Sequence, residues 1–206
     1  MARDGAKTRE RILDEAQQLI LEQGLAATSI DEVLAAAGTS KGAFFHHFPS
    51  KNHLARAIVE RYAEGDVAFL EEFMTRAEEE SDDPAEQLIA FFRFFEEAAD
   101  ELVTQQPSCL YVSYIYDRQL FDDGTNDVIV ETLLEYRRRL AEKIEAAVTL
   151  HPPAFPVEPA ALADHATVTF EGAFVLARAL GDATVMRRQL ELVRRTTAVL
   201  FGLPTD

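Results

Sequence analysis

Between Ser40 and Lys51, short polar and cationic side chains recur at helical spacing. Ser40, Lys41, Ala43 and His46 fall on one narrow polar face, and Phe44 and Phe48, four residues apart, share the opposite, apolar one. A face of that kind can exchange hydrogen bonds with base edges inside a groove about 12 Å wide. Gly42 adds no side chain, so backbone can approach phosphate or base closely. Lys51 falls in the first turn of the next helix, where its ammonium is a point charge suited to phosphate.

Other chemistries fit less well. His46, His47 and His53 suggest a metal, but neighbouring helical residues project about 100° apart, so His46 and His47 do not converge on one ion. No G-x-S-x-G, no paired His and Cys, no phosphate-cradling glycine loop and no metal-ligand cluster occurs in the chain. The sequence therefore reads as a non-enzyme without metal or cofactor. In isolation Lys41 and Lys51 would be ordinary solvated charges; their setting gives them meaning.

That setting is helical. Thr8 is a candidate N-cap for a first helix whose apolar stripe runs through Ile12, Leu13, Ala16, Leu19 and Ile20 until Gly24. Thr28 or Ser29 starts a short second helix, with Glu32 three residues past Ser29 as in a capping box, ending at Gly38. A third short helix, Lys41 to about His47, stops before Pro49, because the residue preceding a proline is steered out of the α region. Ser50 caps a long fourth helix reaching the acidic run near Glu80. Two short helices joined by a glycine turn, behind a supporting helix, form a helix-turn-helix.

Five further helices are expected. Pro84 opens the fifth, which ends before Pro107; Ser108 caps the sixth, broken at Asp122-Asp123-Gly124; Thr125 or Asn126 begins the seventh, reaching Leu150. The proline-rich run from His151 to Pro159 is a semi-rigid extended connector. Ala160 to Leu180 and Thr184 to Phe201 read as the eighth and ninth helices. No strand-like alternation, repeat or low-complexity tract appears, so the fold class is all-α with about nine helices. The domains expected are a helix-turn-helix head over residues 1–50 and a helical body over 51–206.

Charge supports this division. The chain carries a net charge of −16, which at first opposes binding to a polyanion. Residues 1–61, however, hold eight basic and eight acidic side chains, leaving the whole excess on the remainder. A neutral head on an acidic body can offer only one face to DNA, and the acidic body discourages non-specific sliding. The single cysteine, Cys109, excludes an intramolecular disulfide. With no secretory h-region and no membrane-length apolar run, a cytoplasmic protein without membrane attachment is expected.

The stretch from Thr28 to Lys51 closely resembles the DNA-binding signature of TetR-family transcriptional regulators, and the resemblance covers about residues 8 to 55. It implies that Ser29, Thr39, Phe45, His47 and Lys51 lie against the DNA backbone, while Ser40, Lys41, Ala43 and His46 approach bases. Many relatives have tyrosine where this chain has Phe45, which has no hydroxyl to reach phosphate but can contact a thymine methyl. The resemblance further implies double-stranded operator DNA as partner, a homodimer, a small-molecule effector and, most often, repression. An activator of the same fold and a helical protein-binding adaptor are the competing readings.

The body is aromatic in its middle. Phe91, Phe92, Phe95, Tyr111, Tyr114, Phe170 and Phe174 could line a pocket for a lipophilic or aromatic effector, or simply fill the core. Cys109 reads as a buried inert thiol, since no cationic neighbour in the sequence would activate it; His165 reads as a core histidine. Small and apolar residues on the last two helices, Gly172, Ala173, Leu190, Val193, Thr197 and Leu200, are candidates for a dimer interface and equally for an intramolecular core.

Overall fold

The computed structural model describes residues 2–105, 109–117 and 124–205, without the side chains of 2–4, 105, 116 and 117. Among the described residues every regular element is helical: α1 (Ala2–Gln23), α2 (Ile30–Ala36), α3 (Lys41–His47), α4 (Lys51–Glu80), α5 (Pro84–Gln105), α6 (Leu110–Asp117), α7 (Thr125–Leu150), α8 (Pro159–Leu180) and α9 (Thr184–Leu200). Ser108, Asp122 and Asp123 lie outside the described residues.

The largest departure from expectation is the start of α1. It begins at Ala2 and not after a cap at Thr8. The physical reason is that Lys7, Arg9, Glu10 and Arg11 are good helix formers, and a lone glycine at position 5 lowers helix stability by only about 1 kcal/mol. The end of α1 falls where expected, at Gly24, whose φ of +87° suits glycine far better than any L side chain.

Packing divides the chain into two units. The first contains residues 1–65 with 108–131, so α4 and α7 each contribute their opening turns to it; the second contains 66–107 with 132–206. In the first unit, Ile12, Leu13, Ala16 and Ile20 of α1 are buried with Val33 of α2, Phe44 of α3 and Leu54, Ile58 and Val59 of α4. Arg61 of α4 fastens α1 by donating to Asp14 and Gln17, each at 2.7 Å. The Tyr114 hydroxyl of α6 donates to the Ala55 carbonyl of α4 at 3.1 Å. That bond satisfies a phenol that would be costly to bury alone.

In the second unit α5 packs against α9, and α8 against α9. The core gathers Leu70, Phe73, Phe91, Phe95, Phe174, Met186, Leu190 and Phe201. One ion pair lies largely inside: Arg194 of α9 donates to Glu96 of α5 at 2.8 Å. Asp83 caps α5, accepting from the Ala85 amide at 2.8 Å, and meets His151 at 2.6 Å. Burial works to raise the Asp83 pKa, but the His151 contact and the backbone amides of Ala85 and Glu86 together hold it below the ordinary aspartate value.

Candidate nucleic-acid interface

The helix-turn-helix is built by caps at both ends of a glycine turn. Ser29 is the N-cap of α2: its hydroxyl accepts from the Glu32 amide at 3.2 Å, and the Glu32 carboxylate accepts from the Ser29 amide at 2.7 Å. The Ser29 hydroxyl, which also donates to that carboxylate at 2.7 Å, and then the Ser29 amide hold the Glu32 carboxyl below the usual glutamate pKa. Gly38, at φ +55°, turns the chain, and the Thr39 amide donates to the Leu34 carbonyl at 3.1 Å. Ser40 then caps α3 by accepting from the Ala43 amide at 3.2 Å. Phe48 closes α3 in an extended conformation, as its place before Pro49 requires.

The brace read from the sequence is present. Phe44 is wholly buried and Phe48 nearly so, with ring centroids 5.8 Å apart. On the other side of α3, Ser40, Lys41, Gly42 and His46 are exposed and Ala43 is partly so. Phe45 is 40% exposed, its ring edge-on to Phe44 at 5.2 Å. A Cβ on Gly42 would meet only the Ser40 hydroxyl, at 4.0 Å. Any demand for glycine there therefore comes from outside the chain.

Two of the expected backbone-contacting residues also have structural duties. The Ser29 hydroxyl is engaged with Glu32, and the Lys51 ammonium donates to the Leu25 carbonyl at 2.7 Å. An ammonium has three N–H donors, so this bond anchors Lys51 without exhausting it. His46 and His47 stand edge-on, centroids 5.1 Å apart, and His53 pairs with Ser50 at 2.8 Å.

Residues 12–58, which contain this whole arrangement, match the model of the bacterial regulatory proteins of the tetR family. Over these residues, under a quarter of its length, the chain is similar to that family. AcrR, an HTH-type transcriptional regulator of Shigella flexneri, is 38% identical over 68 residues, 33% of this chain and 31% of AcrR. The chain thus matches about a third of the length of such curated relatives. The transcriptional regulator AcuR of Cereibacter sphaeroides is 24% identical over 86% of this chain and 79% of its own. Beyond the matched residues the fold is shared too: a TetR-family regulator from Agrobacterium tumefaciens superposes with a TM-score of 0.78 at 22% identity, covering 93% of this chain and 98% of that one. The relatives are transcription regulators, not enzymes.

The remaining expected residues lie in the two units as follows. Phe91, Phe92, Phe95, Phe170 and Phe174 come together in the second unit. Phe91 meets Phe95 at 5.0 Å, Phe95 meets Phe170 at 5.7 Å and Phe170 meets Phe174 at 5.2 Å, all edge-to-face. Tyr111 and Tyr114 belong to the first unit, where Tyr111 stands perpendicular to Tyr62 at 5.0 Å. A groove of about 510 Å³ between α4 and α7 has a different character. It is lined by charges paired among themselves, Arg139 with Glu71 at 2.7 Å and Lys143 with Glu78 at 2.6 Å.

For the last two helices burial separates two roles that the sequence left merged. Ala173, Leu190, Val193, Thr197 and Leu200 are buried within the single chain, because α9 turns that stripe toward α5 and α8; of the set, Gly172 alone is exposed. A second stripe of the same helices stays uncovered: Val168, Val175, Leu176 and Leu180 on α8, Leu192 and Val199 on α9. No helix among the described residues is long and apolar enough to cross a membrane.

Proposed function

We propose that this chain is a DNA-binding transcriptional repressor of the TetR family that holds a pseudo-palindromic operator as a homodimer and releases it on binding a small molecule. Residues 1–50 read the DNA and residues 51–206 carry the effector and dimer functions. The carrying observation is the exposed face of α3, on which Ser40, Lys41, Gly42 and His46 stand clear of a fully buried Phe44 brace. Lys41 and His46 approach bases; Ser29, Thr39, Phe45, His47 and Lys51 lie toward the backbone. Repression follows from occupancy, because a dimer seated in the groove excludes other proteins by volume alone.

The dimer forms through the uncovered stripe of α8 and α9. Six large apolar side chains exposed on two helices are more than a monomer surface ordinarily carries in one place, and a two-fold operator calls for a two-fold protein. The effector is lipophilic or aromatic and engages the aromatic side chains of the body. Release works through helix position. Half-sites lie about 34 Å or a multiple apart, so a small change in the separation of two α3 helices disengages both from the groove. Continuity of α4 from Lys51 to Glu80 supports this coupling, and so does the Tyr114 to Ala55 bond that ties α6 to the opening of α4.

The reading is tested by titrating a ligand recovered from a release screen against the protein on its selected duplex. Operator affinity should fall steeply at saturation, since an effector must prefer one state in order to shift it. Unchanged affinity at saturation contradicts the effector mechanism. Against the adaptor reading, Lys41→Ala should relax base preference and Lys51→Ala should weaken all duplexes alike.

A further inference from the structure

We propose that His165 of α8 is a proton-operated switch in the dimer interface: neutral, it lets two copies of the chain close on each other, and protonated, it drives them apart. The inference rests on the reading of the uncovered stripe of α8 and α9 as the dimer face. It adds to that face a titrating residue and a direction of pH dependence.

Placement is the first ground. The sequence suggests a core histidine, yet His165 is exposed. Ala161, His165, Val168, Gly172, Val175 and Ala179 are all exposed and follow one another at alternating intervals of four and three residues. On α9, Arg188, Leu192, Arg195 and Val199 do the same. That alternation is the spacing by which helices of separate chains pack side by side, each side chain of one row entering a hole in the facing helix. His165, with Ala161 before it and Val168 after it, stands within the row that a second copy covers.

Chemistry is the second ground. The His165 ring makes no hydrogen bond or ion pair among the described residues. The nearby carboxylates of α8 are engaged or turned away. Glu158 caps the helix, accepting from the Ala161 amide at 2.6 Å, and Asp164 pairs with Arg137 of α7 at 2.6 Å. Glu171, six residues on, lies about 120° round the helix. Of the elements packed on α8, α9 supplies Arg194, held by Glu96 of α5 at 2.8 Å, and Arg195, held by Glu191 at 3.4 Å. Arg188 pairs with Asp182 at 2.6 Å. The exposed row of α9 thus already carries two cations and offers no carboxylate to a third.

An imidazole changes charge between about pH 8 and pH 5. Its neutral form needs one donor and one acceptor, whereas its charged form is far more costly to take out of water. Two-fold symmetry brings one such ring from each copy into the interface. The separated chains therefore bind these protons more readily than the dimer does, and the dimer weakens as pH falls. A repressor that needs two copies to hold its operator is withdrawn by acid.

The test follows the monomer–dimer equilibrium of the DNA-free protein by analytical ultracentrifugation between about pH 8 and pH 5. DNA is left out because charging His46 and His47 would act on duplex affinity by itself. Dimer affinity should fall by up to about tenfold per pH unit for each of the two imidazoles. His165→Gln, neutral throughout, should stay dimeric without that slope, and His165→Lys, charged throughout, should dimerise weakly at every pH. The position is exposed, so both variants keep the fold, which circular dichroism checks. A wild-type dimer whose affinity ignores pH overturns the inference and leaves the dimer reading standing. So does a His165→Gln variant that keeps the wild-type slope, or a His165→Lys variant as tight as wild type at high pH. A wild type that is monomeric throughout overturns the dimer reading and the inference together.

Discussion

The ammonium of Lys51, in the first turn of α4, donates to the carbonyl of Leu25 in the α1–α2 turn at 2.7 Å. One cation thus closes the base of the helix-turn-helix and stands at the edge of the side proposed to meet DNA. Lys51→Met should consequently have two effects. Stability should drop by about 1–3 kcal/mol, the usual range for a charge-assisted bond that is part-buried. Duplex affinity should drop evenly across sequences, with a salt slope shallower by about 0.9 per site. Lys41→Ala, at an exposed position, should leave stability within about 0.5 kcal/mol while broadening the selected sequence. Chemical denaturation and competitive duplex binding measure the two.

Phe44 is fully buried between the helices of the head, with Phe45 and Phe48 against it. Phe44→Ala should cost roughly 3–5 kcal/mol, the range for a large ring removed from a packed interior. Amide exchange should show the weakening first in α1 to α3. Phe45→Ala, at a 40% exposed position, should leave the melting transition nearly unmoved and weaken DNA binding.

Burial separates two kinds of change on α9. Val199, 61% exposed, lies on the uncovered stripe, and Val199→Glu should convert dimer to monomer in sedimentation without unfolding the chain. Leu190 is buried in the core, and Leu190→Ala should lower stability by about 2–5 kcal/mol. A folded dimer from Val199→Glu would place the interface elsewhere.

Acid should weaken the second unit in a definite window. Side-chain hydrogen bonds from Arg138 and Arg139 hold Glu135 down to about 2, against an ordinary value of 4.5. The unfolded chain binds this proton more readily, so the contribution of Glu135 is present above about 4.5 and disappears as pH falls toward about 2. Glu135→Gln should flatten stability against pH in that interval, as read by denaturation at a series of pH values.

Much of this was legible in the sequence because each local signal had a single physical meaning. Ser29 with Glu32, Gly38, Ser40 and Pro49 set the bounds of α2 and α3, and their caps and turns stand where those residue types require. Phe44 and Phe48 revealed the brace by spacing alone. Three features were not legible. The start of α1 was obscured because a threonine inside a helix looks like a cap when nothing upstream breaks the pattern. The double duty of Lys51 depends on a carbonyl 26 residues away, and no local signal encodes it. The apolar residues of α8 carried too little periodic contrast to separate the inward stripe from the outward one, so Ala173 and Phe174 could not be told from Val175 and Leu176 until burial was known.

The central claim is that α3 enters the major groove twice in each dimer. Selection of random-sequence duplexes by the purified protein at low ionic strength tests it most directly. The expected product is a two-fold symmetric sequence with half-sites about 34 Å or a multiple apart, whose retention declines progressively as salt is raised. Failure to retain any duplex at low ionic strength contradicts the claim.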